Sequence, residues 1–237
     1  MTHSYRVSPA AHSGPTDRPS YALRLRLVLG AIVAILPVSC SRPAVVQPPR
    51  DGGHLTDVTQ LALTRRGGQA MFITAAGTIT GETRPNQRNS FLCFTPQCSN
   101  YILRFEVNTD ATLNSGVQIR SQLVDPGTDR EAVVGYQVEI DPTARAWSGG
   151  IYEEGKRGWL EKPPEEARAA FIPGAWNSYI IRCENNQIRT WVNDVACADY
   201  TDATEPVGLI GFQVHSVGAD PIPRRVRWKN ISIECLP

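Results

Sequence analysis

The stretch GYQVEID at residues 135–141 decides the fold class, because its apolar and polar side chains alternate with a period of two. Such alternation is typical of a β-strand with one buried face, since successive side chains of a strand point to opposite sides of the sheet. Turn-forming Asn, Asp, Gly and Pro residues separate further runs of the same kind. These runs are YILRFEV (101–107), GVQIRS (116–121), WNSYIIRC (176–183), NQIRTWVN (186–193), GLIGFQVHS (208–216) and VRWKNISIE (226–234).

Composition agrees with an all-β protein. The chain has 237 residues, of which 41% are hydrophobic and 20% charged, so it is long enough to bury a sizeable core. The 19 Gly and 18 Pro residues disfavour a helix bundle. We therefore predict one all-β domain, an antiparallel two-sheet β-sandwich or jelly roll of about a dozen strands. One short helix or helical turn is expected at PPEEARAA, residues 163–170.

The amino-terminal region has the pattern of an export signal. Arg24 and Arg26 precede the apolar run LVLGAIVAILPV at 27–38, which is too short to span a bilayer comfortably. A small residue and then Cys40 follow, as in a bacterial lipoprotein processing site. We predict a signal peptide over 1–40 with lipid on Cys40, a flexible Pro- and Gly-rich tether over 41–54, and a folded domain over 55–237. The protein is then exported and membrane-anchored, or otherwise periplasmic or extracellular.

The cysteines after Cys40 indicate a disulfide-bonded protein rather than one with a structural zinc site. Cys93 and Cys98 bracket a four-residue connection between two strand-like runs, so a Cys93–Cys98 disulfide across a hairpin is predicted. No Cys-x-x-Cys pair exists, which makes a structural zinc site a poor hypothesis. The five cysteines after Cys40 are an odd number, so at least one thiol is expected to be free.

The outward strand faces carry the candidate site. In GYQVEID the side chains of Tyr136, Val138 and Ile140 are expected to face the core, and the polar set faces outward. Amide, guanidinium and indole groups suit a surface that hydrogen-bonds to and stacks on a polyhydroxylated ring. Each residue alone has an ordinary structural explanation, but their joint occurrence on several strands predicts one polar wall. The candidates are Asn114, Gln118, Arg120, Gln137, Glu139, Asp141, Trp191, Gln213 and His215.

Five stretches in order resemble the 3-keto-disaccharide hydrolase domain of bacterial secreted proteins. The resemblance implies a concanavalin A-like sandwich, akin to glycoside hydrolase family 16 and legume lectins. It also implies action on glycosides whose glucose carbon 3 is oxidised to a ketone. The stretches are LNSGVQIRS (113–121), GYQVEIDPTARAWSGGIYEEGKRGWL (135–160), PGAWNSYIIRCENNQIRTWVND (173–194), GLIGFQVHS (208–216) and VRWKNISI (226–233). Among the polar residues that match is Tyr152, which joins the candidates as a substrate-binding residue.

The chemistry of such a substrate suggests a mechanism. A 3-ketone acidifies the neighbouring C2–H, because the resulting carbanion is an enolate. A base can then start elimination of the group on C1, and water adds back; direct hydrolysis is the other route. The site needs a base, an acid and a donor for the enolate oxygen. We hypothesise Glu139 and His215 as the base and acid, with Arg120 or a bound cation stabilising the oxyanion.

Two other functions compete with this hypothesis. Glu139 and Asp141 on one face could serve a conventional retaining glycosidase, but Thr143 stands where the family 16 signature has a third acidic residue. A non-catalytic, lectin-like carbohydrate-binding module would use the same polar face. A divalent metal held by Glu139, Asp141 and His215 is left open as a cofactor. The net charge of +1 supplies no broad attraction to nucleic acid, so the expected partners are a carbohydrate and, through the lipid, a membrane.

Overall fold

A computed structural model describes residues 47–50 and 55–237 and shows two antiparallel β-sheets packed face to face. This confirms the predicted all-β sandwich, with fifteen strands in the described residues. Sheet A consists of β1 (Leu55–Asp57), β3 (Met71–Ala75), β4 (Thr78–Glu82), β6 (Tyr101–Thr109), β11 (Asn177–Glu184), β12 (Gln187–Val192), β13 (Val195–Thr201) and β15 (Arg225–Cys235). Sheet B consists of β2 (Thr64–Gly67), β5 (Ser90–Phe94), β7 (Ser115–Val124), β8 (Ala132–Ile140), β9 (Ile151–Glu154), β10 (Gly158–Glu161) and β14 (Leu209–Val214).

The strand order shows which side chains can meet. The strand order in sheet A is β13-β12-β11-β6-β15-β4-β3, and β1 also pairs with β15. The strand order in sheet B is β10-β9-β8-β7-β14-β5-β2. The central strands of sheet B, β9, β8, β7 and β14, are adjacent although β14 is distant in sequence. Side chains on one face of these four strands are therefore neighbours.

The core between the sheets follows the predicted alternation. Tyr136, Val138 and Ile140 of β8 are fully buried there. From sheet A, Phe105 stacks on Tyr179 with ring centroids 5.1 Å apart. Burying each such side chain stabilises the fold by about 1.5–3 kcal/mol.

Helical structure in the described residues is confined to two 3-10 turns, Val58–Gln60 and Glu165–Ala167. The second lies within 163–170 and confirms the predicted surface turn. No helix in the described part of the chain is long and apolar enough to span a bilayer. The predicted signal peptide, Cys40 and most of the tether lie outside the described residues.

The disulfide joins Cys98 to Cys235, so the predicted Cys93–Cys98 bond is wrong. The two strand-like runs around these residues do not form a hairpin, because the chain crosses from β5 in sheet B to β6 in sheet A between them. Cys93 stays within β5, whereas Cys98 lies in the crossing segment, 5.8 Å (Cα–Cα) from Cys235 at the end of β15. Cys93, Cys183 and Cys197 are free and buried, which confirms the expectation of at least one free thiol.

Candidate functional site

Three glutamine side chains on adjacent strands form a hydrogen-bonded network on the outer face of sheet B. Gln118 of β7 pairs in register with Gln137 of β8, and its Nε2 donates to Gln137 Oε1 at 2.9 Å. Gln213 Nε2 of β14 donates to the same oxygen at 2.8 Å. These amides are not open to solvent: Gln118 and Gln213 are 0% exposed and Gln137 is 3% exposed. The predicted polar wall is therefore formed, but it is buried.

The network ends on a buried carboxylate. Glu139 Oε2 accepts from Gln137 Nε2 at 3.1 Å, and Oε1 accepts from Asn114 Nδ2 at 2.7 Å and from Arg145 Nη2 at 2.5 Å. Burial raises the pKa of Glu139 above its ordinary value of 4.5, while the bonds from Asn114, Arg145 and Gln137 offset part of that rise. A buried carboxyl with a raised pKa beside a cation is a candidate for proton transfer.

The loop after β8 positions Arg145 beside this carboxylate. Asp141 accepts bonds from the backbone N–H and hydroxyl of Thr143 and from the backbone N–H of Trp147, which closes the loop. It also accepts from Arg145 Nε at 2.7 Å. Although burial raises the pKa of Asp141, the bonds from Thr143 and Arg145 outweigh it and leave the pKa lowered. Both oxygens of Asp141 accept bonds from within the loop, so Asp141 positions Arg145, and its predicted contact with substrate stays a prediction.

Aromatic rings border Arg145 on its exposed side. The Arg145 guanidinium lies over the rings of Trp147 and Trp159, at 4.9 and 5.2 Å from their centroids. The rings of Trp147 and Trp159 are 4.7 Å apart, and Tyr152 contacts Trp159 at 5.3 Å. Tyr152 pairs with Gln137 across β8 and β9, so the rings adjoin the amide network. Such rings can pack against a sugar and also hold an arginine.

Residues 51–234 match the family model described as the 3-keto-alpha-glucoside-1,2-lyase-like domain. The chain belongs to this family. Membership confirms the resemblance seen in the sequence and makes this a glycosidase-like, carbohydrate-related domain. Among curated proteins, none matches the chain.

Solved structures resemble the fold at low sequence identity. A Bacillus subtilis protein of unknown function with a galectin-like fold is 10% identical, with a TM-score of 0.54, covering 78% of this chain and 97% of its own. A Parabacteroides distasonis protein whose name proposes a glycosyl hydrolase is 15% identical, with a TM-score of 0.46 and coverage of 70% and 83%. A carbohydrate-binding module from Bacillus subtilis is 11% identical, with a TM-score of 0.48 and coverage of 73% and 96%. The first of these similarities supports the sandwich fold.

Arg120 does not lie on the outer face of sheet B, and its predicted role beside the enolate oxygen is wrong. The register of β7 against β8 shifts between Ile119 and Gln122, and Arg120 adopts a left-handed backbone with φ of 48° at this bulge. An extra residue in a strand breaks the alternation of faces. The side chain is 1% exposed and donates to the carbonyls of Ser99 and Asn185, which belong to turns next to sheet A strands.

Trp191 is also misplaced by the sequence-based prediction. It lies on β12 in sheet A, is 2% exposed, and borders a cavity of about 190 Å³ with Pro164 and Ala196. Alternation assigns a side chain to one of two faces but does not say which sheet the strand joins. Trp191 therefore does not contribute to the polar network of sheet B.

His215 follows β14 directly and lies at the edge of the network rather than in it. Its Nδ1 is 2.8 Å from the carbonyl oxygen of Ser216. Burial raises the pKa of Glu154, the outward residue of β9 two positions after Tyr152, and nearby His215 offsets part of that rise. No hydrogen bond joins His215 to Glu139 in the described part of the chain, and their roles as base and acid stay predictions.

Two of the residues that complete the site were missed by sequence reasoning. Arg145 and Trp147 lie in PTARAWSGG at 142–150, inside a stretch that carries the family resemblance. Strand periodicity could not identify them because this segment is a loop. The spacing of Asp141 and Arg145, four residues apart, was the available signal for their ion pair.

The positive charge next to Glu139 and Asp141 in this structure comes from an arginine side chain. The Arg145 guanidinium bonds to both Glu139 and Asp141 and supplies the positive charge between their carboxylates. Within residues 47–50 and 55–237, no three His, Cys, Asp or Glu side chains are arranged to hold a metal ion.

Proposed function

We propose that this domain cleaves 3-keto-glucosides on the outer face of sheet B, by elimination started when Glu139 removes the proton from C2. The observation that carries the proposal is the buried Glu139 carboxylate next to the Arg145 guanidinium in a chain of this family. The base and an oxyanion-stabilising cation are thus adjacent, as enolate formation next to a ketone requires.

Each residue of the pair has a defined task. Glu139 takes the C2 proton, and the electrons of the C2–H bond form the enolate of the C3 ketone. Arg145 is 39% exposed, and its Nη2 moves from Glu139 to the enolate oxygen while its Nε stays bonded to Asp141. The enolate then returns to the C3 ketone as its C2–C3 double-bond electrons form a C1–C2 double bond and the C1–O bond breaks. The leaving oxygen takes the proton that Glu139 removed, which restores the carboxylate. Water adds across this double bond to give the free 3-keto sugar.

The test is to replace Glu139 by Gln, which keeps the size of the side chain and removes the base. We expect turnover of a 3-keto-glucoside to fall by about 10²–10⁴-fold, the usual contribution of a positioned proton-transfer group. Glu106→Gln is the matched control, because Glu106 forms an exposed pair with Lys229 on sheet A. Full turnover by Glu139→Gln would refute the assignment. Deuterium from solvent at C2 of the product distinguishes elimination from direct hydrolysis.

A binding module without catalysis is the second candidate. It is favoured by the low exposure of Glu139, 3%, and by the Arg145 side chain that covers it. A conventional retaining glycosidase is less well supported, because Asp141 has no free oxygen to act as its second carboxylate. Saturable binding of plain and 3-keto glucosides with no released aglycone would favour the module. Efficient hydrolysis of a plain glucoside would favour the retaining enzyme.

Export and lipid anchoring at Cys40 remain part of the proposal. The Cys98–Cys235 disulfide supports an oxidising compartment, where such bonds persist. In a bacterial host, we expect the protein to sediment with membranes and the Cys40→Ala variant to be soluble or unprocessed. Because an unprocessed precursor keeps its apolar segment and also associates with membranes, labelled fatty acid decides the question, and wild type without label would argue against lipidation.

A further inference from the structure

A second cavity on the outer face of sheet B adjoins the proposed site. It measures about 300 Å³, at the lower end of the ~300–1,000 Å³ usual for small-molecule sites. Phe91 and Val133 form an apolar part of its lining, and Glu154 and Asn89 contribute polar groups. This combination of an apolar wall with a few polar groups is common in ligand sites.

The cavity lies beneath two segments that fold back over the sheet. The β7–β8 hairpin bends so that Leu123 and Val133 pack on Phe91 of β5. At the hairpin tip, the Asp129 carbonyl accepts a bond from Arg88, which belongs to the segment before β5. The cavity is thus built by tertiary contacts rather than left at a chain end.

Glu154 is the carboxylate in this cavity that has an oxygen to spare. Its Oε1 accepts from Asn89 Nδ2 at 3.1 Å, and Asn89 is itself held by the Ser216 N–H at 2.9 Å. No residue in the described part of the chain donates to Oε2. Glu131, which lines the same cavity, instead accepts from the backbone N–H groups of Gly67 and Gly127 and supports the hairpin.

The register of β8 and β9 sets the distance from Glu139. Glu154 pairs with Gly135, four residues along β8 from Glu139. At about 3.3 Å per residue the two backbone positions are roughly 13 Å apart along the strands. This exceeds the ~5–9.5 Å between two carboxyl groups that act on one glycosidic bond. The spacing instead suits two linked hexose rings, with Tyr152 between the two positions.

We propose that the cavity beside Glu154 binds the leaving hexose of a 3-keto-disaccharide, with Glu154 Oε2 accepting hydrogen bonds from its hydroxyl groups. This inference rests on the proposed function, since it places the 3-keto ring at Glu139. Asn89 is a positioning residue, because it orients Glu154. His215 lies near the same carboxylate.

The experiment compares two substrates that differ only in the leaving group, a 3-keto-glucosyl-glucose and methyl 3-keto-glucoside. For Glu154→Gln, we expect KM for the disaccharide to rise about tenfold, and KM and kcat for the methyl glycoside to stay within about twofold. Glu166→Gln, on the exposed 3-10 turn, is the matched control and should match wild type on both substrates. Equal melting temperatures establish that the variants are folded.

Other outcomes separate this inference from the proposed function. If Glu154→Gln impairs both substrates equally, or neither, the subsite assignment is overturned while the proposed function stands. If wild-type protein cleaves neither substrate, the proposed function fails. Saturation-transfer NMR with free glucose then tests the subsite by itself: loss of the signal in Glu154→Gln but not Glu166→Gln supports it, and an unchanged or absent signal overturns it.

Discussion

The outer faces of the two sheets have similar alternating sequences but different physical states. On sheet A, charged side chains pair at the surface, as in Arg189–Asp199 and Lys229–Glu106, and all four are partly exposed. On sheet B, Gln118, Gln137 and Glu139 are almost fully buried, and Glu139 also accepts a bond from Arg145 in the loop after β8. An outward polar residue therefore becomes a solvated side chain or part of a site according to what covers it.

The energetic difference follows from the dielectric environment. Exposed ion pairs contribute about 0–1 kcal/mol, because water screens the charges and fixing the side chains costs entropy. Buried polar groups are costly to leave without partners, and their bonds constrain geometry more strongly. The covered face of sheet B is thus the region where single substitutions have large consequences.

The largest expected effect comes from removing the Cys98–Cys235 disulfide, which fixes the segment between β5 and β6 to the end of β15. Cys98→Ser opens a disulfide that spans 137 residues, between the crossing from β5 to β6 and the end of β15. The chain-entropy model gives a loss of about 4–5 kcal/mol in the free energy of unfolding. Urea titration under non-reducing conditions measures it. Adding a reductant should destabilise wild type and leave Cys98→Ser unchanged; a variant as stable as oxidised wild type would contradict the prediction.

Replacing Arg145 by Ala tests the proposed role of the buried Glu139–Arg145 pair of sheet B in catalysis. Loss of an oxyanion donor is expected to lower kcat for a 3-keto-glucoside by about 10²–10³-fold. Because Arg145 lowers the pKa of Glu139, its removal raises that pKa further, and the base becomes ionised only at higher pH. The acid limb of the plot of kcat/KM against pH should therefore move to higher pH.

Arg145→Lys is the matched variant for this experiment. It keeps the charge, so the acid limb should stay close to that of wild type while kcat falls, since an ammonium lacks the guanidinium geometry. An acid limb at the same pH in wild type and Arg145→Ala would show that Glu139 is not the titrating base.

The last comparison is between two glutamines, one on each sheet. Gln137→Ala leaves Gln118 and Gln213 without their acceptor, at a cost of about 1–3 kcal/mol for each unpaired buried group. Gln187→Ala on sheet A removes an exposed bond to Asp199 and should change stability by less than about 0.5 kcal/mol. Thermal unfolding of both variants gives the comparison. Equal losses would show that the cover over sheet B does not exclude water from the network.

Several elements could be predicted from local pattern alone. Alternation in GYQVEID correctly placed Tyr136 in the core and Gln137 and Glu139 on the opposite face. The turn within 163–170 was likewise recognisable from its residues. The structure brings Asn114, Gln118, Gln137, Glu139 and Gln213 together, and their roles in substrate binding and catalysis remain predictions.

The failures have one physical origin, which is that strand periodicity is local. Arg120 left its expected face because a one-residue bulge interrupts β7. Trp191 was placed on the correct kind of element in the wrong sheet, and Cys98 was paired within a hairpin that does not exist. Arg145 escaped notice because a loop has no period.

The sequence by itself determined that this chain forms an all-β sandwich and which side chains of β8 leave the core, because both follow from the geometry of single strands. It also carried the family, through five ordered stretches. Only the tertiary structure decided that β14 lies next to β7, that Arg145 meets Glu139, and that Gln137 is buried between Gln118 and Gln213 in one amide network. Those outcomes depend on contacts between residues far apart in the chain, and no local rule of strand geometry specifies them.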